Sequence, residues 1–158
     1  MTVYRTKDVS LVDGILHHQD VFAGISDDST PKEASASSQI QDDANVFLAV
    51  EDGGKVVGCF VFLGHGDECE IHTCLTKACR GAKAREALKL ALNEMFSSMG
   101  IKAVVGYCLS SAKSALYFIR TAGWSFVGRQ PHPTTVNGQK VDELWFSITR
   151  SQWESQLK

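Results

Sequence analysis

The sequence lacks a long apolar run and lacks an excess of charge of one sign. A membrane-spanning helix needs about 20 consecutive apolar residues, and no such stretch occurs. Sixteen basic and 18 acidic side chains give a formal net charge of -2, which is unlike a nucleic-acid-binding protein. The first residues, Met1 to Arg5, lack the apolar segment of a secretion signal. We therefore expect a cytoplasmic protein that binds neither a membrane nor nucleic acid.

Closely spaced cysteine pairs are lacking as well. None of the five cysteines, at positions 59, 69, 74, 79 and 108, forms a C-x-x-C motif. In a reducing cytoplasm we expect free thiols that pack as small apolar core residues. His72 and Cys74 would share a strand face, so a zinc site stays an alternative, but Cys69 would point the other way. We predict no bound metal.

The composition that is present is that of one ordinary domain. Hydrophobic residues make up 44% and charged residues 22% of the 158 residues. A chain of this length buries a sizeable core, so residues 1–158 are predicted to form a single domain.

The most informative stretch is a strand that leads through a basic turn into a long helix. Residues 68–75 form the strand, and the helix is predicted over residues 82–99. Its buried stripe follows from apolar residues at positions 84, 87, 88, 91, 92, 95, 96 and 99. Gly100 stands where a helix commonly ends.

The start of that helix carries positive charge. Arg80, Lys83 and Arg85 lie in or just before its first turn, where cations oppose the helix dipole. A bound polyanion would offset that cost, so the turn is predicted to be an anion site, and solvated surface charge is the alternative.

The first half of the chain is predicted to form a strand over residues 2–6 and helices over 8–18 and 31–40, the second beginning at Thr30-Pro31. The polar segment 26–45 is either a cover over a site or a plain connection. Apolar strands follow at 46–50 and 56–63, and a turn at 64–67 leads into the 68–75 strand, so the three strands form an antiparallel meander.

The second half continues with a buried strand over residues 102–109, which a right-handed crossover makes parallel to 68–75. Ser110 or Ser111 is expected to cap the next helix, which ends at Gly123. Strands 124–129 and 141–149 flank an Asn137-Gly138 turn, and Pro131 and Pro133 interrupt the first of them. The fold class is therefore α/β, with a central mixed sheet of six to seven strands and helices on both faces.

One face of the 68–75 strand carries polar side chains. By period-two alternation Glu68, Glu70, His72 and Cys74 share that face. Buried charge without a partner is costly. Either Glu70 and His72 are satisfied by each other, by neighbours or by solvent at the sheet edge, or one of them is a catalytic base. Histidine has an ordinary pKa of about 6.5, close to the working pH of a base. Cys108 as a nucleophile is a weaker alternative, because no histidine is near it in sequence.

The order of elements resembles the GNAT family of acyl-CoA-dependent N-acyltransferases. Arg80-Gly81 opens the central helix and Ala122-Gly123-Trp124 closes the next one. The chain looks most like the ribosomal-protein and phage-encoded branches. The resemblance implies that strands four and five are parallel and splayed, with acetyl-CoA between them. The implied cofactor-binding residues are Cys74, Leu75, Arg80, Gly81, Ala82, Lys83, Ala84 and Arg85.

Two departures from the family pattern affect this site. In the family, pyrophosphate is bound by a six-residue turn. Its first residue is Arg or Gln, its fourth is Gly and its sixth is Gly or Ala. Arg80 matches the first position, but Lys83 and Arg85 replace the small residues and would add direct charge contacts. A family tyrosine acts as the proton donor; its usual position is Ile119 here, and Tyr117 is the nearest candidate.

The resemblance also implies the reaction. Glu70 corresponds to the family carboxylate, and a backbone N–H near Cys74 or Leu75, at an expected bulge, would polarise the carbonyl. The implied activity is direct acetyl transfer from acetyl-CoA to a small-molecule or protein amine, with Glu70, His72 and Tyr117 as catalytic residues. An inactive GNAT-like binding module and an unrelated α/β domain are the alternatives, and a homodimer is left open.

Overall fold

A seven-stranded mixed sheet organises the chain. The computed structural model describes residues 1–64 and 66–158. The strands run in the spatial order β1-β2-β3-β4-β5-β7-β6. Their bounds are β1 Thr2–Arg5, β2 Val46–Asp52, β3 Lys55–Leu63, β4 Glu68–Leu75, β5 Ala103–Leu109, β6 Ser125–Val136 and β7 Gln139–Thr149. The helices are α1 Val9–Leu16, α2 Gln19–Ile25, α3 Ser37–Ile40, α4 Ala82–Asn93, α5 Lys113–Thr121 and α6 Arg150–Gln156.

The predicted antiparallel meander is confirmed. β2 pairs with β3 and β3 with β4, both antiparallel, while β1 extends the sheet beside β2. Gly53 and Gly54 take positive φ angles of 58° and 75° in the β2–β3 turn, a conformation that glycine adopts without steric cost. The turn predicted over residues 64–67 includes His65, which lies outside the described residues.

β4 and β5 run parallel, as predicted, and they pair over only three rungs. Glu68, Cys69 and Glu70 face Ala103, Val104 and Val105. Beyond that point β4 keeps only β3 as a neighbour, and β5 keeps only β7. The two strands therefore separate toward their carboxyl ends, and the mixed α/β sheet with splayed fourth and fifth strands is confirmed.

The two faces of the sheet carry separate cores. On one face α4, α5 and α6 cover Phe60, Phe62, Val104 and Phe146. On the other face α1, α2 and α3 cover a smaller cluster that includes Cys59, Val61 and Cys74. All five cysteines are free, and all except the half-buried Cys108 are buried, as the composition predicted.

The central helix is shorter than predicted. Its α-helical part ends at Asn93, and residues Glu94–Ser98 form a π-helical turn, in which Met99 donates its backbone N–H to Glu94. The wider turn breaks the 3.6-residue period. Met95 and Phe96 stay buried, but Met99, which the period placed in the stripe, is 38% exposed. Gly100 ends the segment at φ 71°, as predicted.

Three helix predictions need correction. The predicted helix 31–40 is reduced to α3, because the preceding polar residues bury only Ala36. α2 was missed; its cap is a ring nitrogen of His18, which accepts from Asp20 N–H. The N-cap of α5 is Ala112 rather than Ser110 or Ser111, because Ser110 instead hydrogen-bonds Asp142.

The last hairpin is longer than predicted, and a helix follows it. β6 continues through Pro131 and Pro133 by shifting register between Gln130 and Thr134, with His132 at φ 53°. α6 was missed because its signal is short: Thr149 and Gln152 form a capping box. No helix among the described residues is long and apolar enough to cross a membrane.

Candidate active site

The separation of β4 from β5 creates an opening with free backbone groups. Thr76 donates its backbone N–H to Val57 O at 3.0 Å, so by alternation the backbone of Thr73 and Leu75 points away from β3 and into the opening. At the closed end the strands nearly touch, since a Cβ on Gly106 would lie 2.9 Å from Ile71 Cγ2. Free peptide groups along one wall suit an extended, amide-containing ligand.

The bulge predicted near Cys74 and Leu75 is absent. β4 keeps continuous register with β3 through the Leu75–Gly58 pair. The opening arises instead because β5 turns away toward β7. Gly58 makes the regular register possible, because a Cβ there would lie 2.6 Å from Cys74 O.

The turn after β4 presents a bare helix N-terminus. Gly81, at φ 61°, is the N-cap of α4 and offers no side-chain acceptor. The first intrahelical bond is from Arg85 N–H to Gly81 O, and no acceptor in the described part of the chain reaches the N–H groups of Ala82, Lys83 or Ala84. Such groups, with the positive end of the helix dipole, bind anions.

The turn is anchored to its surroundings on two sides. The Thr76 hydroxyl donates to Val57 O at 2.9 Å, and Lys77 donates its backbone N–H to Asp20 Oδ2 at 3.1 Å. That backbone hydrogen bond and the Lys77 ammonium hold the pKa of Asp20 below its usual value. The α2 helix, which the sequence did not predict, therefore fixes the position of the turn that is predicted to bind an anion.

The three cations of the turn have different partners. Lys83 Nζ lies 2.6 Å from Asp52 Oδ2, and this hydrogen-bonded pair raises the pKa of Lys83 and lowers that of Asp52. Arg85 Nη2 donates to Thr121 Oγ1 at 3.1 Å. Arg80 is exposed and makes neither an ion pair nor a side-chain hydrogen bond within the described residues, so its guanidinium is available to a ligand at the turn.

Glu70 and His72 meet beside the opening. His72 Nε2 lies 3.0 Å from Glu70 Oε1, and each side chain is about one-third exposed, at 35% and 32%. The predicted shared face is confirmed. The contact fits a proton-transfer pair and a structural pair equally, so the catalytic role remains a prediction.

Sequence reasoning missed three residues of this face. Tyr107 on β5 has its ring 6.3 Å from that of His72 and 5.0 Å from that of Trp145 on β7. Trp145 Nε1 donates to Glu143 Oε2 at 3.1 Å. The apolar run 102–109 gave no reason to single out Tyr107, and its pairing with Trp145 depends on strand order.

The phenol of Tyr107 stays protonated near neutral pH. Burial raises its pKa, and the negative charges of Glu143, Glu70 and Asp27 raise it further.

The polar segment 26–45, called the cover below, is held in place at two points. Asp28 accepts the backbone N–H groups of Asn137 and Gly138 at 2.7 and 2.8 Å, across the tip of the β6–β7 hairpin. At the other end Asp13 on α1 accepts from the Ser35 hydroxyl at 2.6 Å and from Ala36 N–H at 2.8 Å. These anchors fit both alternatives left by the sequence, so a cover over a site stays a prediction.

Comparison with known proteins gives similarity in structure alone. No family model and no curated protein sequence matches the chain. A variant of the spermidine N-acetyltransferase SpeG from Vibrio cholerae superposes with a TM-score of 0.81 at 15% identity, covering 100% of both chains. The chain has the GNAT fold.

Two further solved structures agree. A chimera of SpeG from Vibrio cholerae and hSSAT has a TM-score of 0.78 at 14% identity, over 98% of this chain and 99% of its own. SpeG from Vibrio cholerae in complex with manganese ions has a TM-score of 0.78 at 15% identity, over 99% and 96%. The resemblance is thus confirmed for the fold, and the phage or ribosomal branch stays a prediction.

Within the GNAT fold, two candidate residues lie apart from the Glu70–His72 pair. Tyr117 is 67% exposed on α5, so its role as proton donor stays a prediction. Burial raises the pKa of Cys108 to about 11, which keeps its thiol protonated and argues against a nucleophile there. Among the described residues, no group of three or more His, Cys, Asp or Glu side chains is placed to hold a metal.

Proposed function

We propose that this GNAT-fold domain transfers an acetyl group from acetyl-CoA directly to an amine. The observation that carries the proposal is the opening between β4 and β5. It leads to a helix N-terminus whose first N–H groups have no acceptor among the residues that the structure describes. A thioester ligand with an amide-containing arm and a pyrophosphate needs both features. The similarity to spermidine N-acetyltransferases supports an amine as acceptor.

The chain's own residues fit acetyl-CoA. The N–H groups of Ala82, Lys83 and Ala84, with the Arg80 guanidinium, would hold the pyrophosphate. The free backbone of Thr73 and Leu75 would hold the arm. When bound, acetyl-CoA supplies an activated acetyl thioester beside the Glu70–His72 pair.

The catalytic pair would prepare the amine for attack. Most amines are protonated at neutral pH, and only the neutral form is nucleophilic. With Nε2–H donating to Glu70, His72 presents Nδ1 as the proton acceptor. The amine nitrogen forms the amide bond as the C–S bond breaks, and one proton returns to the thiolate. Tyr117 is the donor that the family resemblance suggests.

The remaining parts of the proposal concern the route of acetyl transfer, the cellular location, the oligomeric state and the alternative function. Direct transfer is supported by the protonated state of Cys108, and a cytoplasmic location by five free thiols. A homodimer is retained as a proposal that light scattering tests. The altered turn and the exposed Tyr117 would fit an inactive binding module, whereas the paired Glu70 and His72 and the similarity to acetyltransferases favour turnover.

Calorimetric titration with acetyl-CoA, with desulfo-CoA as the control ligand, tests the anion-binding turn. We expect binding, and we expect Arg80→Ala to weaken it about tenfold, the effect of one charge-assisted hydrogen bond. Lys158→Ala, which removes an exposed cation after α6, is the matched control and should bind as the unaltered protein does. Absence of binding at millimolar acetyl-CoA, or equal affinity in all three proteins, would contradict the assignment.

A further inference from the structure

An aromatic pair lies beside the proposed reaction centre, and the proposed reaction does not use it. The rings of Tyr107 and Trp145 lie 5.0 Å apart at 41°. Tyr107 is 37% exposed, and its ring meets that of His72 edge-on at 6.3 Å. The pair therefore forms a surface that begins at the base and extends across β5 to β7. Aromatic faces attract cations through the ring quadrupole.

A fixed carboxylate stands at the far end of the aromatic surface. Glu143 accepts from Trp145 Nε1 at 3.1 Å and from the Thr134 hydroxyl at 3.3 Å. These two neutral donors hold its side chain in place and leave its charge uncompensated. Preorganised charge next to an aromatic face is the arrangement that recognises ammonium groups.

In the part of the chain that the structure describes, no lysine or arginine neutralises this surface. Within the described residues, no Lys or Arg lies within ion-pair distance of Glu143, Glu70 or Asp27, and the partner of Glu70 is His72. Burial raises the pKa of Tyr107, and the negative charges of these three carboxylates raise it further. Other carboxylates of comparable exposure, such as Asp52 and Glu94, have Lys or Arg partners.

We propose that Tyr107, Trp145 and Glu143 form a subsite for a second positive charge of the acceptor, so that the preferred acceptor is a small aliphatic diamine. The proposal rests on the proposed function, since the reacting amine is the one beside His72. The remote ammonium lies over the rings of Tyr107 and Trp145 and against Glu143. The ring centroids of His72 and Tyr107 lie 6.3 Å apart and those of Tyr107 and Trp145 lie 5.0 Å apart, steps that an extended diamine spans.

The cover favours a small acceptor over a polypeptide. Asp28 ties the cover to the tip of the β6–β7 hairpin, and Asp27 beside it adds its charge to the field at Tyr107. We expect a polypeptide running across the surface to displace these bonds and a diamine to leave them intact.

Paired acceptors test the subsite. Hexylamine and hexamethylenediamine share chain length and reacting group and differ in the second ammonium. We expect kcat/KM to be at least tenfold higher for the diamine, chiefly through a lower KM, because a cation–π contact and a charge-assisted hydrogen bond are added. The preference should shrink as salt is raised.

Variants locate the effect. Glu143→Gln keeps the shape and removes the charge, and Trp145→Leu removes the aromatic face; each should reduce the preference ratio several-fold. Glu68→Gln is the matched control, since Glu68 lies on the same strand face as Glu70 but at the closed end of β4, opposite Ala103. It should leave the ratio unchanged.

A binding measurement separates this proposal from the proposed function. Calorimetry of the two amines without acetyl-CoA should show tighter binding of hexamethylenediamine, lost in Glu143→Gln. Diamine binding without any acetyl transfer would refute the reaction and keep the subsite. Equal use and equal binding of both amines would refute the subsite, as would a lysine-containing peptide that outcompetes the diamine.

Discussion

The proposed chemistry of this surface depends on the Glu70–His72 contact. Glu70 and His72 are two residues apart on β4. Their side chains meet because alternation puts both on the face that α1 and α2 leave partly open. A carboxylate that accepts from one ring nitrogen fixes the tautomer and makes the other nitrogen a base. The sequence predicted the pair and its face from a period of two alone. It did not predict Tyr107 or Trp145, because their proximity depends on β7 lying next to β5.

Removal of the proposed base should lower turnover. His72→Ala is expected to reduce kcat at neutral pH by about 100-fold, the usual contribution of a general base. Glu70→Gln should reduce it less, because the ring keeps its position but loses the charged acceptor. The measurement is kcat against pH with saturating acetyl-CoA and amine, and the loss should be smaller at alkaline pH, where more of the amine is already neutral.

Glu68→Gln serves as the control here as well, since its side chain is exposed and lies at the closed end of the strand pair. Unchanged kcat and an unchanged pH profile in both His72→Ala and Glu70→Gln would show that the pair is structural.

At the scale of elements, the sequence predicted what local pattern specifies. The buried stripe of α4 follows from residue spacing, and the parallel β4–β5 pair follows from the handedness of the crossover. The π-helical turn at Glu94–Ser98 was not predicted, because the apolar spacing of its residues also fits an α-helix. The α2 and α6 helices were not predicted, because a seven-residue helix contains only about two turns of the apolar period. Their capping residues can be recognised only once the helix ends are known.

The opening itself was expected from the family resemblance and not from the residues. Its cause is non-local: β5 leaves β4 at Gly106 because β7 pairs with β5 along its whole length. The expected bulge was wrong for the same reason, since a strand does not need to kink when its neighbour turns away. Regular β3–β4 register through Leu75 depends instead on the missing side chain of Gly58.

Gly58→Ala should therefore destabilise the protein. The new Cβ would lie 2.6 Å from Cys74 O, which is backbone of the β4 wall and cannot rotate aside. We expect a loss of about 1–3 kcal/mol, the typical cost of overpacking. Urea unfolding followed by fluorescence measures it. Gly14→Ala in α1 is the matched control: a Cβ there meets nothing within 4 Å, so stability should rise slightly. Equal midpoints for the two variants would contradict this account of the register.

At the scale of the whole molecule, the cover joins parts that are distant in the sequence. It connects α1 at one end to the β6–β7 hairpin at the other, more than 100 residues away along the chain. Composition alone left a cover and a plain connection open, because the anchors are single aspartates whose partners are backbone groups elsewhere. Asp28 is the decisive one, since both its carboxylate oxygens accept from the hairpin tip.

Removing the Asp28 anchor should weaken the binding of the amine acceptor and leave the binding of acetyl-CoA unchanged. Asp28→Ala leaves the N–H groups of Asn137 and Gly138 without their acceptor, so the cover and the hairpin tip lose two hydrogen bonds worth about 1 kcal/mol each. We expect hydrogen exchange at the two amides to accelerate and the amine KM to rise several-fold, while acetyl-CoA affinity stays unchanged because α4 is untouched. Glu33→Ala, an exposed position in the same segment, is the control. An unchanged amine KM together with faster exchange would mean that the cover moves without bounding the acceptor site. An equal loss of acetyl-CoA affinity would mean that the two ligands share one wall, and the assignment of separate sites for cofactor and acceptor would then be wrong.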